Sequence, residues 1–369
     1  MISLDWEKMP NLSELTLVMP TYNRHRYALR QMQFWSGSPV SLFVLDGSST
    51  PINDDAIKTL GKNIHYYHFP ISYEKRFGKA AELIKTPFAA SLCDDEFFIP
   101  SALERCIEFL KNNKEYGACI GRCSRIIYLN TGVSSVHQYK TMKNYKITED
   151  DKKERVLHHM TDYVHTTMYA VQRAEIWKKT MSIFAMDDYH FSCPYIVELL
   201  VEISTCYQGK SMVIDNLMWL RSEENAPADG EERHVGFQVW MKDPKYQNER
   251  SVFLSKLEKS LSKIFGNEAS NDFKEALERY KLFRRGYSDN SKKITLPKIK
   301  TNITQLLSVK TEHQVNILLA YLNLSGWSPW KTAVKRLETE GVNVDTIQFE
   351  KIVETVEDFH KKNTFNELR

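Results

Sequence analysis

"LTLVMPTYNRHRYALRQMQFW", residues 15–35, changes period in its middle. The first six residues are a short apolar run stopped by Pro20, and from Arg26 onward the apolar side chains recur at helical spacing. A buried strand therefore runs through a short polar turn into a helix. "VSLFVLDGSS" (40–49) repeats the opening as a strand ending in Asp46 and a turn, followed by a short helix in "DDAIKTL" (54–60). "NIHYYHF" (63–69) alternates as a third strand, "SYEKRFGKAAELIK" (72–85) reads as a helix, and "PFAASL" (87–92) as a fourth strand. Strands and helices alternating at this rhythm predict an α/β fold, a mostly parallel sheet with helices on both faces.

In such sheets ligands bind beyond the carboxyl ends of the strands. Three of these ends carry polar residues: "TYNR" (21–24), "DGSS" (46–49) and "CDDE" (93–96). The last belongs to "SLCDDEFFIPSAL" (91–103), which stacks three negative charges where a core strand ends and a helix follows. Adjacent carboxylates repel unless water, donors or a cation neutralise them. The triplet is thus either the seat of something positive or an exposed helix N-terminus, where the macrodipole favours acidic side chains. Gathered on one edge, the three ends point to a site for a nucleotide and a cation.

The rest of the chain sets bounds. With 369 residues, 42% hydrophobic and 26% charged, it has an ordinary globular composition and length for two domains. A net charge of +3, without a dense basic block interleaved with aromatics, argues against nucleic acid as a partner. The N-terminal residues lack a basic region followed by an apolar one, and no run approaches the roughly 18 apolar residues of a membrane span. A cytoplasmic protein is expected. The six cysteines lie mostly in apolar periodic segments; Cys119 and Cys123 form a CxxxC without a second half, which reads as buried thiols and not as zinc.

Beyond residue 116, "ACIGRCSRIIYL" (118–129) predicts a longer strand, and 130–155 a hairpin or mobile loop. "HTTMYAVQ" (165–172) reads as a strand and "RAEIWKKTMSIF" (173–184) as a helix. "YIVELLVEISTCYQG" (195–209) is a second helix with Gly209 at its C-cap, and "SMVID" (211–215) a last strand. His158 and His159 fall on a helix face. After about residue 222 the acidic "SEENAPADGEE" reads as a connection or lid, and the pattern becomes almost wholly helical. The expected division is 1–222 and 223–369. In the second part, "SVFLSKLEKSLSKIF" (251–265) has an apolar face and scattered lysines, as either a membrane-surface helix or one packed on its own domain would. Trp219 and Trp240 are aromatics that could stack on a sugar ring, with burial in the core as the commoner alternative.

Together, "TLVMPTYNRHRYAL", "LFVLDGSS" and "TPFAASLCDDEFFIPSAL" resemble the N-terminal half of the GT-A glycosyltransferases, in particular glycosyltransferase family 2 and its bacterial surface-polysaccharide branch, over residues 13–222. The resemblance implies a Rossmann-like nucleotide-sugar domain. It assigns Thr21, Tyr22 and Arg24 to the nucleotide, and Asp46 to its base. It also implies a DXD-type motif that binds Mn²⁺ or Mg²⁺, hard ions suited to oxygen ligands. Here Cys93 replaces the first carboxylate of that motif. Counting back from Pro100 makes Asp95 the metal-facing residue, flanked by Asp94 on the donor side and by Glu96.

Arg76 and Lys79 are candidates for the diphosphate or base, with a solvated helix face as the alternative. His165 is placed where relatives contact donor or acceptor, and His234 where a late histidine reaches the metal. The family's inverting members use a carboxylate near a late helix as general base. Register from Gly209 gives Glu198, with Asp187 and Asp188 as competitors. The reading is an inverting, metal-dependent glycosyltransferase. It would move a sugar from a nucleotide-diphospho-sugar to a saccharide or lipid-linked acceptor in surface-polysaccharide synthesis, in the cytoplasm or at the inner face of the membrane. The alternatives are a nucleotidyltransferase, disfavoured by the lack of a Gly-rich lysine-bearing loop after the first strand, and an inactive sugar-nucleotide or polysaccharide-binding scaffold.

Overall fold

The computed structural model describes residues 4–129, 131–186, 191–193, 195–225, 235–290 and 309–363. The first half alternates as its period requires: β1 (Leu15–Thr21), α1 (His25–Trp35), β2 (Ser41–Asp46), α2 (Asp54–Lys58), β3 (Ile64–His68), α3 (Tyr73–Leu83) and β4 (Phe88–Ser91). These strands lie side by side as β4-β1-β2-β3, every pair parallel. All therefore end on one edge. Side chains alternate between the faces: Leu17, Met19, Leu42 and Val44 enter one apolar cluster, whereas Val18, Phe43 and Leu45 enter the other. A strand buried on both sides reads as a continuous apolar run, the pattern of residues 15–20.

Next come β5 (Phe97–Phe98), α4 (Pro100–Asn112), β6 (Tyr116–Leu129), β7 (Gly132–Gln138), β8 (Lys146–Ile147), α5 (Lys152–Thr161), β9 (Val171–Arg173), α6 (Ala174–Met186), α7 (Tyr195–Gln208) and β10 (Lys210–Ser222). β6 folds back on β7 as an antiparallel hairpin, with Gly132 at φ +117° in its turn, and β10 runs parallel to β6. The sheet continues as β7-β6-β9-β4, its β9 pairings antiparallel.

One expectation is corrected and three are sharpened. The strand expected over 165–172 is confined to Val171–Arg173, because the amides of Thr167 and Met168 bond the Glu202 carboxylate and are not available to a ladder. Gly209 follows the last residue of α7, the C-cap position expected, but without a left-handed φ; a Cβ there would lie 2.9 Å from the Gly117 backbone, so close approach of two chain segments requires the glycine. His158 and His159 both lie on α5, as expected, and His159 is on its buried face, between Tyr145 and Glu202. Trp219 and Trp240 are 1% and 2% exposed, core residues out of reach of a sugar ring.

The later helices, α8 (Phe237–Lys242), α9 (Gln247–Phe265), α10 (Asn267–Asn290), α11 (Val309–Tyr321), α12 (Trp330–Thr339) and α13 (Thr346–Lys362), divide between the faces. α9 buries Phe253, Leu257 and Leu261 against α5–α7, the packed alternative for this helix. On the opposite face Trp330, Val334, Phe349 and Ile352 share one cluster with Leu17 and Leu42. Between them β11 (Ser328–Pro329) pairs with β7. Among the described residues no helix is long and apolar enough to cross a membrane. All six cysteines are free thiols, five of them buried.

Candidate active site

The carboxyl ends of β1, β2 and β4 are tied to one another by side chains. Thr21 Oγ1, closing β1, donates to Asp94 Oδ2 at 2.8 Å, and the amide of Asn23 donates to Ser48 Oγ at 2.8 Å. Asn23 takes φ +54°, the left-handed turn that lets the chain leave β1 and enter α1. Arg76, buried on α3, donates through Nη1 to the carbonyls of Thr21 (2.6 Å) and Leu45 (2.7 Å), bracing two strand ends. Lys79, one turn later, points outward and pairs with Glu82. Tyr22 stands about half-exposed beside this edge.

Asp46 is fully buried and collects three donors: the Ser48 amide on Oδ1 at 2.8 Å, and the Tyr66 hydroxyl (2.6 Å) and His25 Nε2 (3.0 Å) at Oδ2. Burial opposes its charge, yet the hydrogen bonds from Ser48 and Tyr66 prevail and hold its pKa below the usual value. His25, which follows Arg24 directly, is an addition that the sequence reading did not make. It is the partly exposed way in to Asp46.

The acidic triplet splits by environment. Arg24 Nη1 lies 3.3 Å from Asp94 Oδ1 and 3.2 Å from Asp95 Oδ2. Asn225 Nδ2 reaches the same Asp95 oxygen at 2.9 Å. Burial and the neighbouring Asp95 charge raise Asp94 to about 6, against the pull of Arg24. Glu96 turns elsewhere: its Oε2 accepts from Trp219 Nε1 at 2.7 Å, and burial with the Asp95 charge pushes it up to about 8. Without a cation beside it, it is mainly a neutral acid at neutral pH. Burial likewise pushes the Cys93 thiol well above its ordinary range.

A second buried arginine backs the site. Arg30 makes a two-point bond to Glu224 (3.0 and 2.9 Å), donates to the Asp95 carbonyl at 3.1 Å, and faces the rings of Tyr27, Phe97 and Phe359. His360 on α13 bonds Glu224 from the other side. Burial opposes the Glu224 charge, but Arg30 and His360 hold its pKa down at about 2. The signal for Arg30 was its register: it falls on the stripe of Tyr27 and Phe34, both buried.

Glu198, in the first turn of α7, is half-buried. Burial raises the phenols of Tyr139, Tyr163 and Tyr169, and the Glu198 charge adds to it. Tyr169 stacks on Trp219 with centroids 4.3 Å apart, and its hydroxyl lies 3.4 Å from Cys93 Sγ. Tyr169 thus packs at the acidic strand end. His165 lies in the same group, 3.1 Å from the Tyr163 hydroxyl and 3.6 Å from Glu202 Oε1. Asp187, Asp188 and His234 lie outside the described residues.

Among the described residues no three His, Cys, Asp or Glu side chains form a metal cluster. Asp94 and Asp95 nevertheless already hold a cation, the Arg24 guanidinium, between hard oxygens. Two carboxylates of this kind fit Mg²⁺ or Mn²⁺, which takes one or two carboxylates and completes its shell with phosphate and water.

No protein-family profile and no curated protein sequence matches the chain. Similar solved structures include Staphylococcus aureus TarS 1–349, 13% identical over 75% of this chain and 91% of that one, with a TM-score of 0.44. The same fragment in complex with UDP-GlcNAc is 14% identical over 79% of each chain, with a TM-score of 0.47, and S. aureus TarS is 13% identical over 74% and 55%, with a TM-score of 0.41.

Proposed function

We propose that the protein is an inverting GT-A glycosyltransferase moving a sugar from a nucleotide-diphospho-sugar to a saccharide or lipid-linked acceptor, within residues 1–222, in surface-polysaccharide synthesis. What supports the reading above all is the union of Thr21, Arg24, Asp46 and Asp94–Asp95 at the common carboxyl edge of β1, β2 and β4. Asp46, kept ionised, accepts from a base N–H by way of, or in exchange with, His25. Tyr22 offers an exposed ring to the base. Arg76 keeps the two strand ends in register so that these groups converge. Asp94 and Asp95 would hold Mn²⁺ or Mg²⁺, which when bound supplies Lewis-acid stabilisation to the leaving diphosphate.

On the acceptor side, Glu198 takes the proton of the attacking hydroxyl. Its half-buried position gives the partial shielding that a general base needs. Asp187 and Asp188 are the other carboxylates to test, and His234 is proposed as a further ligand. With a lipid-linked acceptor the enzyme would work at the inner face of the membrane.

Thermal-shift titration with UDP-, GDP-, CMP- and dTDP-sugars, with and without Mn²⁺, tests the reading, followed by donor hydrolysis with the sugar that binds. One donor should raise the melting temperature more with Mn²⁺ than without, and should then be hydrolysed. No response to any donor would refute the reading; binding without turnover would favour the scaffold.

A further inference from the structure

Asp95 is gripped twice by one buried cluster. Its carbonyl accepts from Arg30 Nη2 at 3.1 Å, and its Oδ2 accepts from Asn225 Nδ2 at 2.9 Å. Both holders are anchored on Glu224. Arg30 is forked onto that carboxylate at 3.0 and 2.9 Å, and Asn225 is the next residue along the chain. The Ser222 hydroxyl closes the turn, accepting from the Glu224 amide at 3.0 Å and lying 3.1 Å from Oε2. A further hold on Glu224 comes from the last turn of α13, where His360 Nε2 bonds Oε1. The His360 ring lies flat on Tyr128 of β6, with centroids 4.4 Å and planes 3° apart, and the preceding Phe359 faces the Arg30 guanidinium at 4.6 Å. The Glu224 side chain is 1% exposed and that of His360 9%, so little water competes for their bond.

We propose that His360 is a positioning residue for the cation site: through Glu224 it fixes Asn225, and with it the orientation in which Asp95 meets a divalent ion. The inference rests on the glycosyltransferase reading. A carboxylate binds a hard ion best when an outer hydrogen bond has already set its orientation, and loss of such a partner costs about 10- to 100-fold in metal affinity. Asn225 is that partner. A short polar side chain in a turn keeps its direction only while the turn is pinned. Here the pin is the buried carboxylate one residue earlier, held by a guanidinium from α1 and an imidazole from α13. Removing the imidazole leaves the Arg30 fork in place, so the fold persists while Glu224 is free to turn about that fork. The C-terminal helix thus takes part in donor binding, and the nucleotide-sugar site draws on residues beyond 222.

Mn²⁺ binding to the full chain, with and without UDP and followed by electron paramagnetic resonance of the free ion, tests this without relying on turnover. Asn225→Ala should weaken Mn²⁺ about tenfold. His360→Phe keeps a ring on Tyr128 but cannot bond Glu224, and should weaken Mn²⁺ by about three- to tenfold; His360→Leu replaces it if the phenylalanine form folds poorly by circular dichroism. His360→Gln, whose amide reaches the place of Nε2, should recover affinity to within about twofold of the parent. Phe349→Leu, on the same helix but away from the cluster, should melt lower than the parent and bind Mn²⁺ equally well. Equal affinity in the parent and His360→Phe would overturn the positioning role and leave the glycosyltransferase reading intact. A loss in Phe349→Leu as large as in His360→Phe, or no recovery in His360→Gln, would show an effect of packing alone and overturn it as well. No Mn²⁺ binding by the parent, with or without UDP, would refute the metal-dependent reading and this inference with it.

Discussion

Glu96 accepts a hydrogen bond from Trp219 inside the fold, next to the charge of Asp95, and its acid form persists to about pH 8. The folded chain thus binds a proton that the unfolded chain gives up near pH 4.5, so Glu96 lowers stability progressively as pH rises through that window. Glu96→Gln keeps an oxygen for Trp219 and cannot ionise. In metal-free buffer its stability relative to the parent should grow between pH 5 and 8, by up to about 1.4 kcal/mol per pH unit. Urea titrations at three pH values check this, and a gap independent of pH would contradict it. Glu198 carries the proposed proton transfer. Glu198→Gln should bind donor normally while transfer falls by about 10²-fold or more. Near-parental transfer would move the role to Asp187 or Asp188. At this scale the residue types were legible, and so was the demand of three acids for something positive. That the chain itself supplies it from Arg24, 70 positions earlier than Asp94, was not, because sequence distance does not report which turn faces which.

The elements that local period defines, β1 through β4 and their helices, were legible because each strand is buried on both faces and each helix carries its own stripe. The segment 165–170, read as part of a strand over 165–172, was not. Its apolar alternation suggests a strand, but the Glu202 carboxylate takes the amides of Thr167 and Met168 at 2.9 to 3.0 Å and pairs with His159 at 2.9 Å. Burial opposes the Glu202 charge, yet His159, His165 and those amides bring its pKa down to about 2. Burial opposes a charge on His159, yet Cys206, Tyr145 and the bond to Glu202 raise its pKa well above the ordinary value. Glu202→Gln leaves a buried imidazolium without its counter-charge and should cost about 3 to 5 kcal/mol, measured by denaturant unfolding. A loss below about 1 kcal/mol would show that the backbone amides alone position the segment carrying His165. Gly209 makes the same point: its partner, Gly117, is distant in sequence, so a position that reads as a cap is a place of close contact.

Across the whole molecule, the change of composition near residue 222 suggested a division, and the packed alternative for residues 251–265 was legible, but that the last helices share a core with β1 and β2 was not. Phe349 is fully buried in the cluster that covers β1 and β2, and Phe359 packs on Tyr27 with ring centroids 4.9 Å apart. Phe349→Ala should therefore lower stability by about 3 to 5 kcal/mol in a single transition followed by both near-ultraviolet dichroism and Trp fluorescence. A separate early transition would mean that the C-terminal helices unfold on their own.

The central claim is that the edge where β1, β2 and β4 end holds a nucleotide-sugar through its acidic pair. Calorimetric titration of the donor identified by thermal shift, in Mn²⁺, into the parent and Asp95→Asn tests it most directly. The account predicts saturable binding by the parent and at least about a tenfold loss in the variant, which should melt within a few degrees of the parent. Equal affinity in the two proteins would contradict it.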